Sequence, residues 1–214
     1  MSPRMFVVAG PPGGGKSSVF SRSVSGIADV FNADDRAAEL NGGSYRGIPQ
    51  EIRAATNREF EQFIISHIRE HKDFAFETTL RTPITFRQAA MARQEGFHVS
   101  MAFVALRTPE MHIDRVIARA EAGGHSAPPE RIREIYKASL KNLPRALAEL
   151  DDVAVYDNSS ITGTGPELIL DIVDRQPVYL IDWPPDWLTN SLRNTDYQLD
   201  HIRRQLDRDR GLSF

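Results

Sequence analysis

The sequence predicts an α/β fold in which helices flank a mostly parallel sheet. Short apolar runs alternate along the chain with stretches of helical periodicity, and the first apolar run leads directly into a glycine-rich loop. The 214 residues are 41% hydrophobic and 26% charged, which is ordinary for a globular domain with a substantial core. Strands separated by helices favour parallel pairing, and ligands of such sheets bind at the carboxyl ends of the strands.

Each predicted element follows from its own pattern of apolar residues. Short apolar runs predict strands at residues 4–10, 28–34, 73–79, 98–106 and 152–159. Apolar residues at helical spacing predict helices from Ser17 onward and at residues 50–72, 84–95, 109–121 and 129–149. The end of the chain predicts a hairpin at residues 166–182, followed by one or two charged helices.

The chain is expected to form one domain with an addition at its end. Residues 1–160 form the predicted core, which includes a helical lid at about residues 109–130. Residues 161–214 form an extension packed on the same domain. Trp183 and Trp187 are expected to anchor that extension, because tryptophan buries a large apolar area.

The composition argues against several kinds of partner and chemistry. The net charge of −3 gives no general attraction to nucleic acid or to an acidic membrane. The absence of cysteine excludes disulfides, cysteine–zinc sites and thiol nucleophiles, and the six histidines show no zinc-ligand spacing. Neither a signal peptide nor a membrane-spanning apolar run is evident, so a cytoplasmic location with access to ATP is expected.

A phosphate-binding loop follows the first predicted strand. Gly10, Gly15, Lys16 and Ser17 match the pattern G-x-x-x-x-G-K-[ST] residue for residue, between a strand and a helix. In such a loop the backbone N–H groups surround the phosphates, the lysine reaches the β- and γ-phosphates, and the hydroxyl binds Mg²⁺. The fold is therefore expected to be of the P-loop NTPase type. The predicted ATP-binding residues are Gly10, Pro11, Pro12, Gly13, Gly14, Gly15, Lys16, Ser17 and Ser18.

The fate of the γ-phosphate depends on residues at the other strand ends. Asp34 ends the second predicted strand, which is expected to lie beside the first, so its carboxylate would overlook the γ-phosphate. There it could accept a proton from an attacking hydroxyl, as the catalytic aspartate of kinases does. The alternative is structural, because Asp34 or Asp35 would also cap the helix that is predicted to follow.

A polar cluster follows the third predicted strand. Glu77 is followed by Thr78, Thr79 and Arg81, and this set of an acid, two hydroxyls and a guanidinium suits a polar second substrate. The alternative is a strand-to-helix turn in which a threonine caps the next helix. No guanine-binding signature follows, which favours transfer to a substrate over a molecular switch.

The predicted lid carries basic residues. Arg115 and Arg119 lie four residues apart and therefore share one face of a helix. In small kinases such arginines neutralise charge in the transition state, although a solvated basic face has the same pattern. Gly123 or Gly124 is expected to end this helix, and His125 is either a capping or hinge residue or a substrate-binding residue.

Together these segments resemble the zeta toxin family of P-loop kinases. The resemblance is carried, in order, by GPPGGGKSS, FNADD, FETTLRT, DRVIARAEAGGHSAPPE and YKASLKNLPRAL, within residues 5–147. Many families share the phosphate loop. The FETTLR segment, combined with the lid and SLKNL segments, is much more specific, above all to the form common in Gram-negative bacteria.

The resemblance implies ATP- and Mg²⁺-dependent phosphorylation of UDP-N-acetylglucosamine, at the 3′-hydroxyl of its amino sugar. It implies that Asp34 is the general base and that Glu77 with Thr79 holds the substrate. It also implies that Arg115 or Arg119 clamps the transferring phosphoryl group. Lys16 and Ser17 would bind phosphate and Mg²⁺. A toxin of this kind would have a small antitoxin partner that blocks the ATP site.

Two features depart from the family pattern. Many relatives have Arg-Tyr where this chain has Ile135-Tyr136, so one lid arginine is missing unless Arg131 or Arg133 replaces it. The segment after residue 160 matches no family feature. Two other interpretations therefore stay open: a P-loop kinase for another small alcohol, and an ATP-binding regulatory module with little turnover.

Overall fold

Helices pack on both faces of one seven-stranded sheet in the computed structural model, which describes residues 2–23, 26–160 and 165–209. The strands are β1 (Arg4–Ala9), β2 (Val30–Phe31), β3 (Phe74–Thr78), β4 (His98–Ala105), β5 (Asp152–Asp157), β6 (Glu167–Val173) and β7 (Gln176–Leu180). The helices are α1 (Lys16–Ser23), α2 (Ala33–Leu40), α3 (Gln50–Glu70), α4 (Ile84–Gln94), α5 (Pro109–Glu121), α6 (Pro129–Glu149), α7 (Asp186–Leu192) and α8 (Leu199–Asp209). The predicted α/β class with a mostly parallel sheet is confirmed.

The strand order is β2–β3–β1–β4–β5–β6–β7. Strands β1 to β5 pair in parallel, whereas β6 and β7 form the predicted hairpin and pair antiparallel. The expectation that the second strand lies beside the first is wrong, because β3 lies between them. The apolar start of β3 is fully buried, whereas the two residues of β2 are partly exposed, so β3 takes the interior position and β2 the edge.

The core has two layers because side chains alternate along each strand. In β1, Met5, Val7 and Ala9 point into the larger layer, which α3, α4 and α6 cover. Phe6 and Val8 point to the other face, where Val19 of α1 packs on β4. This packing places the carboxyl ends of the parallel strands at one edge of the sheet, where the polar segments of the sequence meet.

The C-terminal segment continues the sheet and the larger core layer. Strand β6 pairs with β5, and Trp187 of α7 is buried with its indole Nε1 donating to Asp157 Oδ2 at 2.9 Å. The anchoring role predicted for Trp183 is wrong, because its side chain is 89% exposed in the turn before α7. The domain boundary near residue 160 stays a prediction. Among the described residues, no helix is long and apolar enough to cross a membrane.

Candidate active site

The phosphate loop lies between β1 and the first turn of α1. Gly10 begins it with φ +137° and donates its N–H to the Thr78 carbonyl at 3.2 Å, which fixes the loop against the end of β3. A Cβ at Gly10 would lie 2.0 Å from the Val104 carbonyl oxygen, and one at Gly15 would lie 2.2 Å from Asn158 Nδ2. The backbone of β4 leaves no room for a side chain at Gly10, and at Gly15 the φ of +94° favours glycine in addition to the nearby Asn158 side chain.

Two side chains that the sequence analysis did not single out hold the loop in place. The His112 ring is fully buried in α5; its Nδ1 donates to the Pro12 carbonyl at 2.7 Å, and its Nε2 accepts from the Leu106 N–H at 3.0 Å. Burial lowers the pKa of His112 to about 4, so the neutral ring carries both bonds at neutral pH. Asn158, after β5, donates from Nδ2 to the Gly14 carbonyl at 2.9 Å.

Lys16 begins α1 and folds back over the loop. Its ammonium donates to the carbonyl oxygens of Gly10 at 3.2 Å and Pro11 at 3.4 Å. Burial lowers the pKa of Lys16, while the carboxylates of Glu77 and Asp34 oppose that shift. Arg119 of the lid also acts on the Lys16 ammonium. Four charged groups from separate segments are thus close enough to influence one another.

The acidic half of the site comes from the ends of β2 and β3. Asn32 caps α2, because its side-chain oxygen accepts from the N–H groups of Asp34 at 3.0 Å and Asp35 at 3.3 Å. The alternative that Asp34 or Asp35 is the cap is therefore wrong, since Asn32 holds that position. Both carboxylates lie exposed in the first turn of α2. Burial raises the pKa of Glu77. The Lys16 ammonium opposes this upward shift, and the carboxylates of Asp35 and Asp34 add to it.

The loop after β3 is fastened to α6. Thr78 Oγ1 accepts from the Leu80 N–H at 3.2 Å. The Thr79 carbonyl accepts from the Ser139 hydroxyl, and the Leu80 carbonyl accepts from Asn142 Nδ2 at 2.8 Å. These contacts give the SLKNL segment a physical role, because two of its polar residues hold the substrate-side loop. Arg81 is exposed beyond this anchored turn.

The two lid arginines lie in different environments. Arg115 is half-buried, and its Nη2 donates to the Asn158 carbonyl at 2.7 Å. Arg119 is exposed and acts electrostatically on both Lys16 and Glu77. Gly123, with φ +91°, follows the end of α5 as the sequence predicts. His125 is half-buried in the next loop, and within the described ranges its Nδ1 has no hydrogen-bond partner.

The two arginines that could replace the missing lid arginine, Arg131 and Arg133, are each engaged in an ion pair. Ile135 is buried in α6 with 7% exposure. Arg131 pairs with Glu134 at 2.8 Å, and Arg133 lies 3.4 Å from Glu110. Both ion pairs join exposed side chains. The lid arginine that acts on the charges of Lys16 and Glu77 is Arg119.

A phosphate loop at the centre of a parallel sheet, faced by carboxylates from neighbouring strand ends and by a helical lid, is the architecture of a P-loop kinase. The sequence model of the zeta toxin family matches residues 1–164. The chain therefore belongs to the zeta toxin family.

Individual proteins resemble the chain in part of its sequence or in its fold. A Haemophilus influenzae protein of uncharacterised function is 26% identical over 128 residues, which cover 58% of this chain and 86% of that protein. A structure from the PezAT chromosomal toxin–antitoxin system of Streptococcus pneumoniae superposes with a TM-score of 0.62 at 16% identity, covering 99% of this chain and 87% of that one. The AvrRxo1-ORF1:ORF2 complex with ATP gives a TM-score of 0.64 at 13% identity; 82% of this chain matches 60% of the AvrRxo1 chain. At these identities the structural matches show the shared fold.

Proposed function

We propose that this chain transfers the γ-phosphoryl group of ATP to a hydroxyl of a nucleotide sugar, UDP-N-acetylglucosamine. The observation that carries the proposal is the phosphate loop fastened to the end of β3, where the Gly10 N–H donates to the Thr78 carbonyl at 3.2 Å, next to Glu77. The charges of Glu77, Asp34 and Arg119 all act on the loop lysine, Lys16. A cation for the phosphates and carboxylates for the acceptor are the groups that phosphoryl transfer to an alcohol requires.

In the proposed reaction the ATP phosphates bind at the loop of residues 10–18. The backbone N–H groups of this loop and of the first turn of α1 offer donors to phosphate oxygens. Lys16 exchanges its contacts with the Gly10 and Pro11 carbonyls for the β- and γ-phosphates. Arg119 stabilises the charge on the transferring group, while Arg115 holds the lid to the end of β5.

The donor set at this edge of the sheet fits Mg²⁺, which prefers oxygen ligands and binds between carboxylates and substrate phosphates. Ser17 is exposed at the start of α1. Asp34 and Glu77 supply carboxylates that act on Lys16, and the carboxylate of Asp35 acts on Glu77. Ser17 would hold the ion together with one of these carboxylates. When bound, Mg²⁺ would neutralise charge on the β- and γ-phosphates.

Asp34 is the proposed general base. Its carboxylate accepts the proton of the acceptor hydroxyl as the hydroxyl oxygen bonds to the γ-phosphorus and ADP departs. The half-buried Glu77 and the anchored turn with Thr78, Thr79 and Arg81 would bind the acceptor. We assign His125 to the same acceptor site, because its buried Nδ1 lacks a partner within the described ranges.

The choice of UDP-N-acetylglucosamine rests on the family resemblance, which covers the phosphate loop, the FETTLR segment and the lid. ATP and UDP-sugars occur together in the cytoplasm, which is the proposed location. An antitoxin that blocks the ATP site is a proposed partner, because the S. pneumoniae structure belongs to a toxin–antitoxin system.

A second candidate function is an ATP-binding regulatory module with little turnover. The observation that favours it is Ile135, a buried apolar side chain where many relatives have a lid arginine. Such a module would bind ATP without releasing ADP when acceptors are added.

The substitution Asp34→Asn tests the proposed chemistry. Loss of a general base should lower kcat by about 10²-fold or more, while the affinity for ATP persists. ADP release with UDP-N-acetylglucosamine measures the first quantity, and titration with a non-hydrolysable ATP analogue measures the second. Asp200→Asn, at an exposed position in α8, is the matched control. A kcat of Asp34→Asn equal to that of the control would contradict the role of Asp34.

A further inference from the structure

The segment between α2 and α3, residues 41–49, is an organised loop that we name the α2–α3 loop. The Asn41 side chain donates from Nδ2 to the carbonyls of Ser44 at 2.8 Å and Arg46 at 3.0 Å, on either side of Tyr45. These bonds hold the backbone at the loop tip, where Tyr45 and Arg46 lie. Three glycines with left-handed backbone allow the tight path of the loop: Gly42, Gly43 and Gly47.

Tyr45 points from this loop to the acidic half of the site. Its hydroxyl donates to Asp35 Oδ1 at 2.7 Å, and the ring is half-buried. The bond to Asp35 raises the pKa of Tyr45, and Asp34 and Arg119 also act on the phenol. The hydroxyl is therefore a hydrogen-bond donor at neutral pH, placed among the charged groups of the site.

The next residue connects the same loop to the lid. Arg46 Nη2 donates to the Ala120 carbonyl at 3.2 Å, in the last turn of α5. A guanidinium is favourable there because the carbonyl end of a helix is partly negative. Tyr45 and Arg46 thus bridge the first turn of α2 and the helix that carries Arg119.

The place of the α2–α3 loop relative to the strand order indicates that it lies beside the acceptor and not beside ATP. The residues that contact the phosphate loop come from β4, from α5, from Asn158 after β5 and from Thr78 at the end of β3. The α2–α3 loop follows β2, on the other side of β1 and beyond β3. A nucleotide on the phosphate loop and the α2–α3 loop would therefore approach Asp34 from opposite sides.

We propose that Tyr45 is a positioning residue of the acceptor site, and that the α2–α3 loop forms the outer wall of this site. The Tyr45 hydroxyl donates a hydrogen bond to the carboxylate of Asp35. Because Asp35 is engaged in this way, the neighbouring carboxylate of Asp34 accepts the proton of the acceptor. Arg46 ties this wall to the lid. The inference rests on the proposed kinase function and adds to it a second substrate-side segment.

The substitution Tyr45→Phe tests the inference, because it removes the hydroxyl and keeps the ring. Loss of a hydrogen bond to a charged group should lower kcat/KM for UDP-N-acetylglucosamine by about tenfold. The KM for ATP should stay within about twofold, because ATP binds on the opposite side of Asp34. Tyr179→Phe, at a partly exposed position in β7, is the matched control and should change neither value.

The possible failures are distinguishable in one assay. If the wild type transfers phosphate to a different sugar or nucleoside, the kcat/KM values of wild type and Tyr45→Phe are compared with that acceptor. If the wild type is active and Tyr45→Phe leaves the kcat/KM for the acceptor unchanged, the inference alone is overturned. The same holds if Tyr45→Phe lowers kcat/KM equally for ATP and for the acceptor. A wild type that transfers phosphate to no acceptor overturns the proposed function and the inference with it. Arg46→Ala, which releases the loop from α5, should cause the same acceptor-selective loss and replaces Tyr45→Phe if that variant unfolds.

Discussion

Lowering the pH should destabilise the protein through His112, the buried ring that fixes the phosphate loop. This ring donates to the Pro12 carbonyl and accepts from the Leu106 N–H, so the folded protein requires its neutral form. Burial lowers its pKa to about 4. In the unfolded chain the pKa is about 6.5, so the unfolded state takes up a proton first as the pH falls.

The size of the effect follows from these two pKa values. The contribution of His112 to the free energy of unfolding is full above pH 6.5 and declines by about 1.4 kcal/mol per pH unit as the pH falls to 4. Between about pH 7.5 and pH 5 the loss is about 2 kcal/mol. His98 acts in the opposite direction, because its hydrogen bond to Asp152 raises its pKa and its contribution is lost as the pH rises. The wild-type profile therefore sums opposing effects, and a variant is needed to isolate His112.

Urea unfolding of the wild type and of His112→Asn isolates this contribution. The asparagine amide can still donate to Pro12, but it removes the titrating group and leaves the Leu106 N–H unpaired, which costs about 1–3 kcal/mol at every pH. The difference in free energy of unfolding between the two proteins should shrink by about 2 kcal/mol between pH 7.5 and pH 5. His201→Asn, at an exposed position in α8, should show no such trend. A wild-type advantage that stays constant with pH would refute the argument.

Two further predictions separate catalysis from scaffolding. Arg119→Ala should lower kcat by about 10²-fold with little change in melting temperature. Arg115→Ala should instead lower the free energy of unfolding by about 1–2 kcal/mol, because the side chain loses its bond to a backbone carbonyl. Steady-state kinetics and urea unfolding of both variants test this pair of predictions, and the reverse pattern would contradict them. Asn142→Ala should cost about 1 kcal/mol of stability and reduce kcat, because the Leu80 carbonyl loses its donor. Lys141→Ala, at the neighbouring exposed position, should change neither quantity.

The phosphate loop and the order of the main elements were predictable because their signals are local. The spacing of Gly10, Gly15, Lys16 and Ser17 specifies a loop that forms within a few residues of chain. The predicted bounds of α5, in the lid, and of α6, which follows it, agree with the structure because each helix has a regular apolar face.

Features that depend on distant contacts were not predictable from local patterns. His112 and Pro12 are 100 positions apart, so nothing near His112 in the sequence indicates its role beneath the phosphate loop. The place of β2 at the sheet edge depends on competition between two strands for the centre. Asn32, one residue before α2, takes the cap position for which Asp34 and Asp35 were candidates, since its amide oxygen reaches the N–H groups of the first turn. Trp183 stays exposed although its size favours burial.

The mass of the product shows whether the protein phosphorylates UDP-N-acetylglucosamine. The purified protein would be incubated with Mg²⁺-ATP and a panel of UDP-sugars, free sugars and nucleosides, with Lys16→Ala as the inactive control. UDP-N-acetylglucosamine is expected to gain about 80 Da, the mass of one phosphoryl group, in step with ADP release. ATP binding without acceptor-dependent ADP release, or transfer by Lys16→Ala at the wild-type rate, would contradict it.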